Sequence, residues 1–209
     1  MEKEYWENYY KSHFSAEPSL FAQFVCKNYL KDGDTLIEFG SGNGRDSLFF
    51  AQNNIYSIAI DQCENEIAFL REKYDLPNLK FKCADFTQLG DLGFFDHVYS
   101  RFTLHSIKEK GEDNVIVWAY DHLKKGGKLL IEARSKKNEL YGMGDPVPWE
   151  PDAYIYDNHF RRFVDADKLR EKLKKAGFEI ILAEEKPGFA PFGDSDYVFM
   201  RIVASKNIL

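Results

Sequence analysis

Apolar residues gather in short, β-favouring runs at 35–39, 55–60, 79–83, 97–100, 128–133, 179–183 and 197–204. Between the early runs lie segments at 45–52, 64–73 and 112–124 whose apolar positions recur at helical spacing. The runs read as strands, and the periodic segments as helices turning one apolar stripe toward a sheet. Alternating strand and helix predicts an α/β fold, a parallel sheet with helices on both faces. The end of the chain changes character. Asp165 is placed to cap a helix over 166–175, and Gly177 stands where that helix stops. Two strands then follow, joined by the Pro-, Gly- and Phe-rich stretch 184–196, which favours an antiparallel pair.

Two segments exceed this minimal pattern. Residues 1–30 precede the first strand and carry Tyr5, Trp6, Tyr9, Tyr10 and Phe14 at helix-compatible spacing, so a helical cap is expected there. Residues 135–160 are rich in Gly, Pro, Asp and aromatics. A connection longer than about 12–15 residues is usually a lid or carries its own structure, so 135–160 is expected to be a lid or a structured insertion. With 209 residues and 44% apolar content, 1–209 reads as a single domain with a full core.

The chemistry concentrates where the first strand ends, in Leu36-Ile37-Glu38-Phe39-Gly40-Ser41-Gly42-Asn43-Gly44. Glycines two apart let a strand turn sharply into a helix and let a ligand lie against bare backbone. A dinucleotide fingerprint counted from Gly40 requires glycine at position 45, which is Arg45. Asp61 closes the second strand, where a carboxylate can accept from both hydroxyls of a ribose, with Gln62 flanking it. Asp85 and Phe86 follow the third strand. An aspartate there can equally be a turn former, so its weight comes from joint placement with Glu38 and Asp61. The carboxyl ends of successive strands converge on one crevice in open α/β sheets.

The E-x-G-x-G-x-G pattern over 38–44 resembles the first motif of the class I S-adenosylmethionine methyltransferases. That resemblance implies a Rossmann-like, seven-stranded sheet ordered 3-2-1-4-5-7-6, mostly parallel with strand 7 antiparallel. It implies S-adenosylmethionine as cofactor and S-adenosylhomocysteine as product, held by Glu38, Gly40, Gly42, Gly44, Asp61, Gln62, Asp85, Phe86 and Ser100. Phe95-Asp96-His97-Val98-Tyr99-Ser100-Arg101-Phe102 resembles the fourth motif, with Asp96 structural and Ser100 and Arg101 at the ligand-facing end. The connection after it reaches the methyl-transfer site in that family. His105 is therefore a candidate general base, against the plainer reading that it holds loop backbone. His159, beside the expected lid, is the second candidate.

Arg101, Arg161 and Arg162 are candidates to orient an anionic acceptor, because guanidinium forks bind phosphate or carboxylate. Ordinary salt bridges are the competing role for each. Trp149 is a candidate acceptor-side wall. The sequence has no Asn-Pro-Pro-Tyr after the fourth strand, no Pro-Cys nucleophile and no acid cluster for a metal, so a metal-independent small-molecule enzyme is expected. The stretches Ser-Arg-Phe-Thr-Leu-His and His-Phe-Arg-Arg-Phe are similar to small bacterial methyltransferases that tailor surface polysaccharides or their activated precursors. The expected reaction is methyl transfer to a hydroxyl or other oxygen of a phosphorylated or nucleotide-linked sugar or related precursor. A non-catalytic cofactor-binding subunit, a peptide methyltransferase and a nicotinamide oxidoreductase are the rivals.

Net charge of −6 argues against nucleic acid or an anionic membrane as partner, since phosphate contacts need clustered cations. No apolar run approaches the ~20 residues that span a bilayer. The first residues lack a basic and apolar leader pattern, and three unpaired-looking cysteines suit a reducing compartment, so a cytoplasmic monomer or homodimer is expected.

Overall fold

The computed structural model describes Tyr5, Trp6 and residues 17–207. The expected N-terminal helical cap lies mostly outside the described residues. Within them, α1 (Leu20–Asn28) leads to β1 (Thr35–Phe39), α2 (Arg45–Gln52), β2 (Tyr56–Asp61), α3 (Glu64–Lys73), β3 (Leu79–Cys83) and β4 (Phe95–Arg101). Then come α4 (Glu109–His122), β5 (Leu123–Ala133), β6 (Asp145–Pro146), β7 (Ala153–Tyr156), β8 (His159–Arg162), α5 (Ala166–Lys175), β9 (Phe178–Lys186) and β10 (Phe199–Lys206). Seven strands form one sheet in the order β3-β2-β1-β4-β5-β10-β9, the expected 3-2-1-4-5-7-6. β10 runs antiparallel to both neighbours, and the pairs β2–β3, β1–β2, β1–β4 and β4–β5 are parallel.

Both faces of the sheet are covered, which is why its central strands β1 and β4 are buried along almost their whole length. Alternation along β1 sends Ile37 and Phe39 to one face, where they meet Val98, Leu129 and Ile131 under α4 and α5. Leu36 faces the other way, with Tyr99, Leu130 and Val203 beneath Phe21, Ala22 and Val25 of α1. Helix ends follow the sequence signals. Ser19 caps α1 by accepting from the Ala22 N–H, and Asp165 caps α5 by accepting from the Asp167 and Lys168 N–H groups. Gly177 has φ +100°, and a side chain there would strike the Tyr120 hydroxyl, so glycine ends α5.

Two boundaries depart from the sequence pattern. α4 begins three residues earlier than its periodicity suggests, because Glu150 reaches from the 135–160 segment to accept the Glu109 N–H at 2.6 Å. β5 begins at Leu123 rather than 128, since Gly126 at φ +74° carries the chain through Lys124–Lys128 without leaving the edge of β4. The 135–160 segment has structure of its own: β6, β7 and β8 pair antiparallel as a small separate sheet.

Asp96 staples the amino-terminal end of the large sheet. Its carboxylate accepts from the Thr35 N–H (2.9 Å), the Thr35 hydroxyl (2.7 Å) and Lys124 Nζ (2.7 Å). Burial alone would raise its pKa, but these hydrogen bonds outweigh that and lower it to about 2. A depressed carboxylate pKa gives stability that is present above the unfolded value and lost as pH falls through the folded one. Wild-type unfolding followed in denaturant is therefore expected to lose up to about 2 kcal/mol through this group between about pH 4 and pH 2. Asp96→Asn should lack that segment of the acid profile; an unchanged profile would remove Asp96 from the account.

Candidate active site

The glycine loop sits at the carboxyl end of β1, facing the ends of β2 and β4. Gly40, Gly42 and Gly44 all have positive φ (+66°, +53° and +74°), which explains why glycine occupies each. A Cβ on Gly40 would lie 2.5 Å from Thr103 Cγ2, so the loop is packed directly against the turn after β4. Gly44 is equally tight against Phe81 and Leu70 under the start of α2. Asp61 locks the loop from the neighbouring strand: its Oδ2 accepts the Gly42 N–H at 2.9 Å, and its Oδ1 accepts the Cys63 N–H at 2.9 Å. Each carboxylate oxygen retains a second lone-pair direction. Ser41, between the first two glycines, has a buried hydroxyl with no hydrogen-bond partner. An orphaned buried hydroxyl is rare and is a reasonable mark of a place where a ligand's polar group belongs.

Glu38 is 3% exposed and accepts from the Ser47 hydroxyl, tying β1 to α2. Burial, and next the charge of Asp46, push its pKa well up, against the Ser47 hydrogen bond and the charges of Arg101 and Arg45. Glu38 thus supports the loop from behind. Asp46 is itself buried and accepts from the Ser19 N–H, the Ser19 hydroxyl and the Tyr99 hydroxyl. That network joins α1, α2 and β4 beneath the loop, and no sequence signal announced it.

Several expected ligand residues are occupied by the fold. Asp85 caps the short turn Phe86–Gln88, accepting from the Thr87 N–H and hydroxyl and from Gln88. Phe86 is a core residue, stacked on Phe39 with ring centroids 5.6 Å apart and one ring edge toward Gly40. Ser100 is fully buried and hydrogen-bonds Thr103. Gln62 is partly exposed, and its carbonyl accepts from Cys83 Sγ.

On the acceptor side the structure corrects two expectations. Arg101 is committed to Glu132 rather than standing unpaired: its Nε donates to Glu132 at 3.0 Å, and its guanidinium lies over the Phe102 ring. Burial would lower its pKa, but Glu132 and Asp46 outweigh that and raise it. Arg162 is also spent. It donates to the Ile107 and Leu104 carbonyls and to Glu112, clamping β8 onto the turn after β4 and onto α4. Trp149 is 60% exposed, stacked on Phe160 with Lys108 over its ring.

His105 is corrected in role rather than place. It sits in the turn Leu104–Ser106 after β4, 5% exposed, and its Nδ1 accepts the Arg134 N–H at 3.1 Å. Burial first, then the charges of Arg134, His159, Arg161 and Arg162, push its pKa well down. The ring is therefore neutral near pH 7, and a neutral imidazole accepting at Nδ1 carries its proton on Nε2. In that tautomer Nε2 is a donor and has no lone pair with which to take a proton. His159 begins β8 and is 4% exposed, with Tyr5 stacked on it at 4.0 Å and Trp6 packed edge-on at 5.1 Å.

Arg134 is the site residue that sequence reasoning missed. It directly follows β5 at the carboxyl edge of the sheet, and its pKa falls to about 10, through burial and then the charge of Arg161. Its only signal was position: the last strand of the parallel core ends one residue before it.

Among the described residues no group of His, Cys, Asp and Glu is arranged to hold a metal ion, and no helix is long and apolar enough to cross a membrane.

Residues 8–183 match a family model described as a methyltransferase domain. Phosphoethanolamine N-methyltransferase 1 of Arabidopsis thaliana is 30% identical over 171 residues, covering 78% of this chain and 32% of that protein. The chain thus spans about a third of the length of the curated relatives it matches. A SAM-dependent methyltransferase from Methanosarcina mazei superposes with a TM-score of 0.76 at 18% identity, covering 88% of this chain and 98% of the other. The 1,6-didemethyltoxoflavin-N1-methyltransferase of Burkholderia thailandensis, solved with S-adenosylhomocysteine bound, gives a TM-score of 0.69 at 17% identity over 90% and 76% of the two chains. At these identities the structural likeness is one of fold.

Proposed function

This chain belongs to the methyltransferase-domain family, and from that premise we propose that it transfers the methyl group of S-adenosylmethionine to a small anionic acceptor under the 135–160 insertion. The observation that carries the cofactor half is the loop itself. Ser41 offers an unsatisfied hydroxyl, and Asp61 holds Gly42 in place while keeping lone pairs for the ribose hydroxyls. Bound there, the cofactor supplies a methyl group already activated on a sulfonium. What remains for the protein is to align the acceptor, exclude water and manage one proton; alignment alone contributes several kcal/mol, up to about 7–11 in model reactions.

The insertion supplies the exclusion. Arg162 fastens β8 to the turn carrying His105, so the small sheet covers the carboxyl ends of β4 and β5. His105, with its proton on Nε2, would hold an acceptor oxygen by donation rather than deprotonate it. A hydroxyl acceptor needs a base that this tautomer withholds, whereas an amine can reach the site already neutral. We therefore favour a nitrogen acceptor over the oxygen expected from sequence. A phosphorylated amine is also what the name of the Arabidopsis relative specifies for that protein.

The test is calorimetric titration with S-adenosylmethionine, S-adenosylhomocysteine and NADH, followed by methyl-transfer assays on phosphorylated amines and phosphorylated sugars. Binding of both sulfur ligands, with turnover on the amines, is the expected result. Binding of NADH alone would overturn the reading. Cofactor binding with turnover only on sugars would restore the oxygen acceptor.

A further inference from the structure

We propose that Arg134 and Arg161 together form a binding site for a dianionic phosphate monoester, the anchoring group of the acceptor. The inference rests on the small-anionic-acceptor reading above and adds what the anion is and which residues hold it.

Adjacent arginines on a strand point to opposite faces, and β8 shows the consequence. Arg162 turns inward to Glu112, while Arg161 shares the other face with His159. The Arg161 guanidinium lies over the Tyr156 ring at 5.4 Å, and its Nη1 is buried without a hydrogen-bond partner. Arg134 reaches the same space from the end of β5. Its backbone is stitched to the insertion, since the Val164 N–H donates to the Arg134 carbonyl at 3.0 Å, and to His105 through its own N–H. Its guanidinium lies over the Phe199 ring and gives one bond, from Nη1 to Asn138 Oδ1 at 3.1 Å. Among the described residues neither arginine has a carboxylate within salt-bridge distance, whereas Arg101, Arg162 and Arg201 each do.

Two half-buried guanidiniums that repel one another, with no carboxylate of the described residues in contact with either and Glu139 acting on Arg134 only from beyond salt-bridge distance, are costly unless a ligand supplies the charge. Burial first, and then the neighbouring cations, push the pKa of both Arg134 and His105 down. Two positive charges match the charge of −1.5 to −2 on a phosphate monoester near neutral pH, and guanidinium forks suit its oxygens. His105, whose Nδ1 accepts the Arg134 N–H, brings a neutral ring to the same neighbourhood. The site lies at the carboxyl edge of the sheet, so a short molecule held by its phosphate can extend its other end toward the glycine loop.

The experiment uses the full chain and inorganic phosphate as probe, followed by 31P line broadening and by calorimetry. Arg134→Gln and Arg161→Gln are each expected to weaken phosphate binding at least about tenfold, as loss of one charge-assisted contact implies. Arg71→Gln, an exposed arginine on α3, should leave it unchanged. S-adenosylhomocysteine affinity is measured on the same preparations. Phosphate binding that is absent from the wild type, or equal in wild type and Arg161→Gln, would overturn the site. The Arg161 side chain makes no hydrogen bond among the described residues, so that variant decides the matter even if Arg134→Gln fails to fold. Phosphate binding that depends on the arginines in a protein that ignores S-adenosylhomocysteine would keep this site and remove the methyltransferase reading instead.

Discussion

Replacing Glu132 with alanine is expected to lower the free energy of unfolding by about 3–5 kcal/mol, the largest stability effect of any single change at this sheet. Glu132 is fully buried on β5, in register with Arg101 on β4 and Arg201 on β10. One oxygen meets Arg101 Nε at 3.0 Å and the other meets Arg201 Nε at 2.7 Å. Arg201 is held further by the Phe189 carbonyl and by the rings of Phe21, Phe24 and Phe189. One carboxylate thus neutralises two cations across three strands. Its removal leaves both buried and unpaired, a far greater loss than the net worth of the triad against an apolar replacement. For a domain of this length the loss corresponds to a melting temperature lower by roughly 6–20 °C. Calorimetric melting of Glu132→Ala and Glu132→Gln beside wild type measures it. A fall of less than about 1 kcal/mol would mean that water or side-chain rearrangement relieves the charges.

The second large effect is on the cofactor. Asp61→Ala is expected to weaken S-adenosylmethionine binding by at least about a hundredfold, the sum of two charge-assisted hydroxyl bonds at about 1.5–3 kcal/mol each. The structure adds a reason the ribose bonds alone do not contain. Asp61 also holds the Gly42 N–H, so the alanine variant loses the anchor that fixes the loop beside Ser41. Asp61→Asn keeps one acceptor oxygen and should fall between wild type and alanine. Calorimetric titration of the three proteins checks the order, and circular dichroism confirms that each remains folded. Equal affinities in all three would place the cofactor elsewhere.

How much was legible in advance follows from what each feature depends on. The alternation of strand and helix, the glycine loop and the acids at 38 and 61 depend on local pattern, which is written along the chain, while the strand order came with the family resemblance. The acceptor side was read less well. Arg101, Arg161 and Arg162 are indistinguishable as sequence, yet one pairs with Glu132, one with Glu112, and Arg161 meets no carboxylate among the described residues. Partners thirty or fifty residues away decide this, and no local signal carries them. The same holds for His105: the backbone N–H of Arg134 sets its tautomer, and with it whether the ring gives or takes a proton.

The sequence by itself therefore determined the alternation of strand and helix and the glycine loop between β1 and α2, because period, glycine spacing and strand ends are short-range properties. Only the tertiary structure decided which charges are neutralised. Side-chain pairing across strands brings together residues such as Glu132 and Arg201, or Arg134 and Arg161, that lie far apart in the chain. Whether a charge is available to a ligand is a property of its neighbours in space, and those are set only once the sheet has closed.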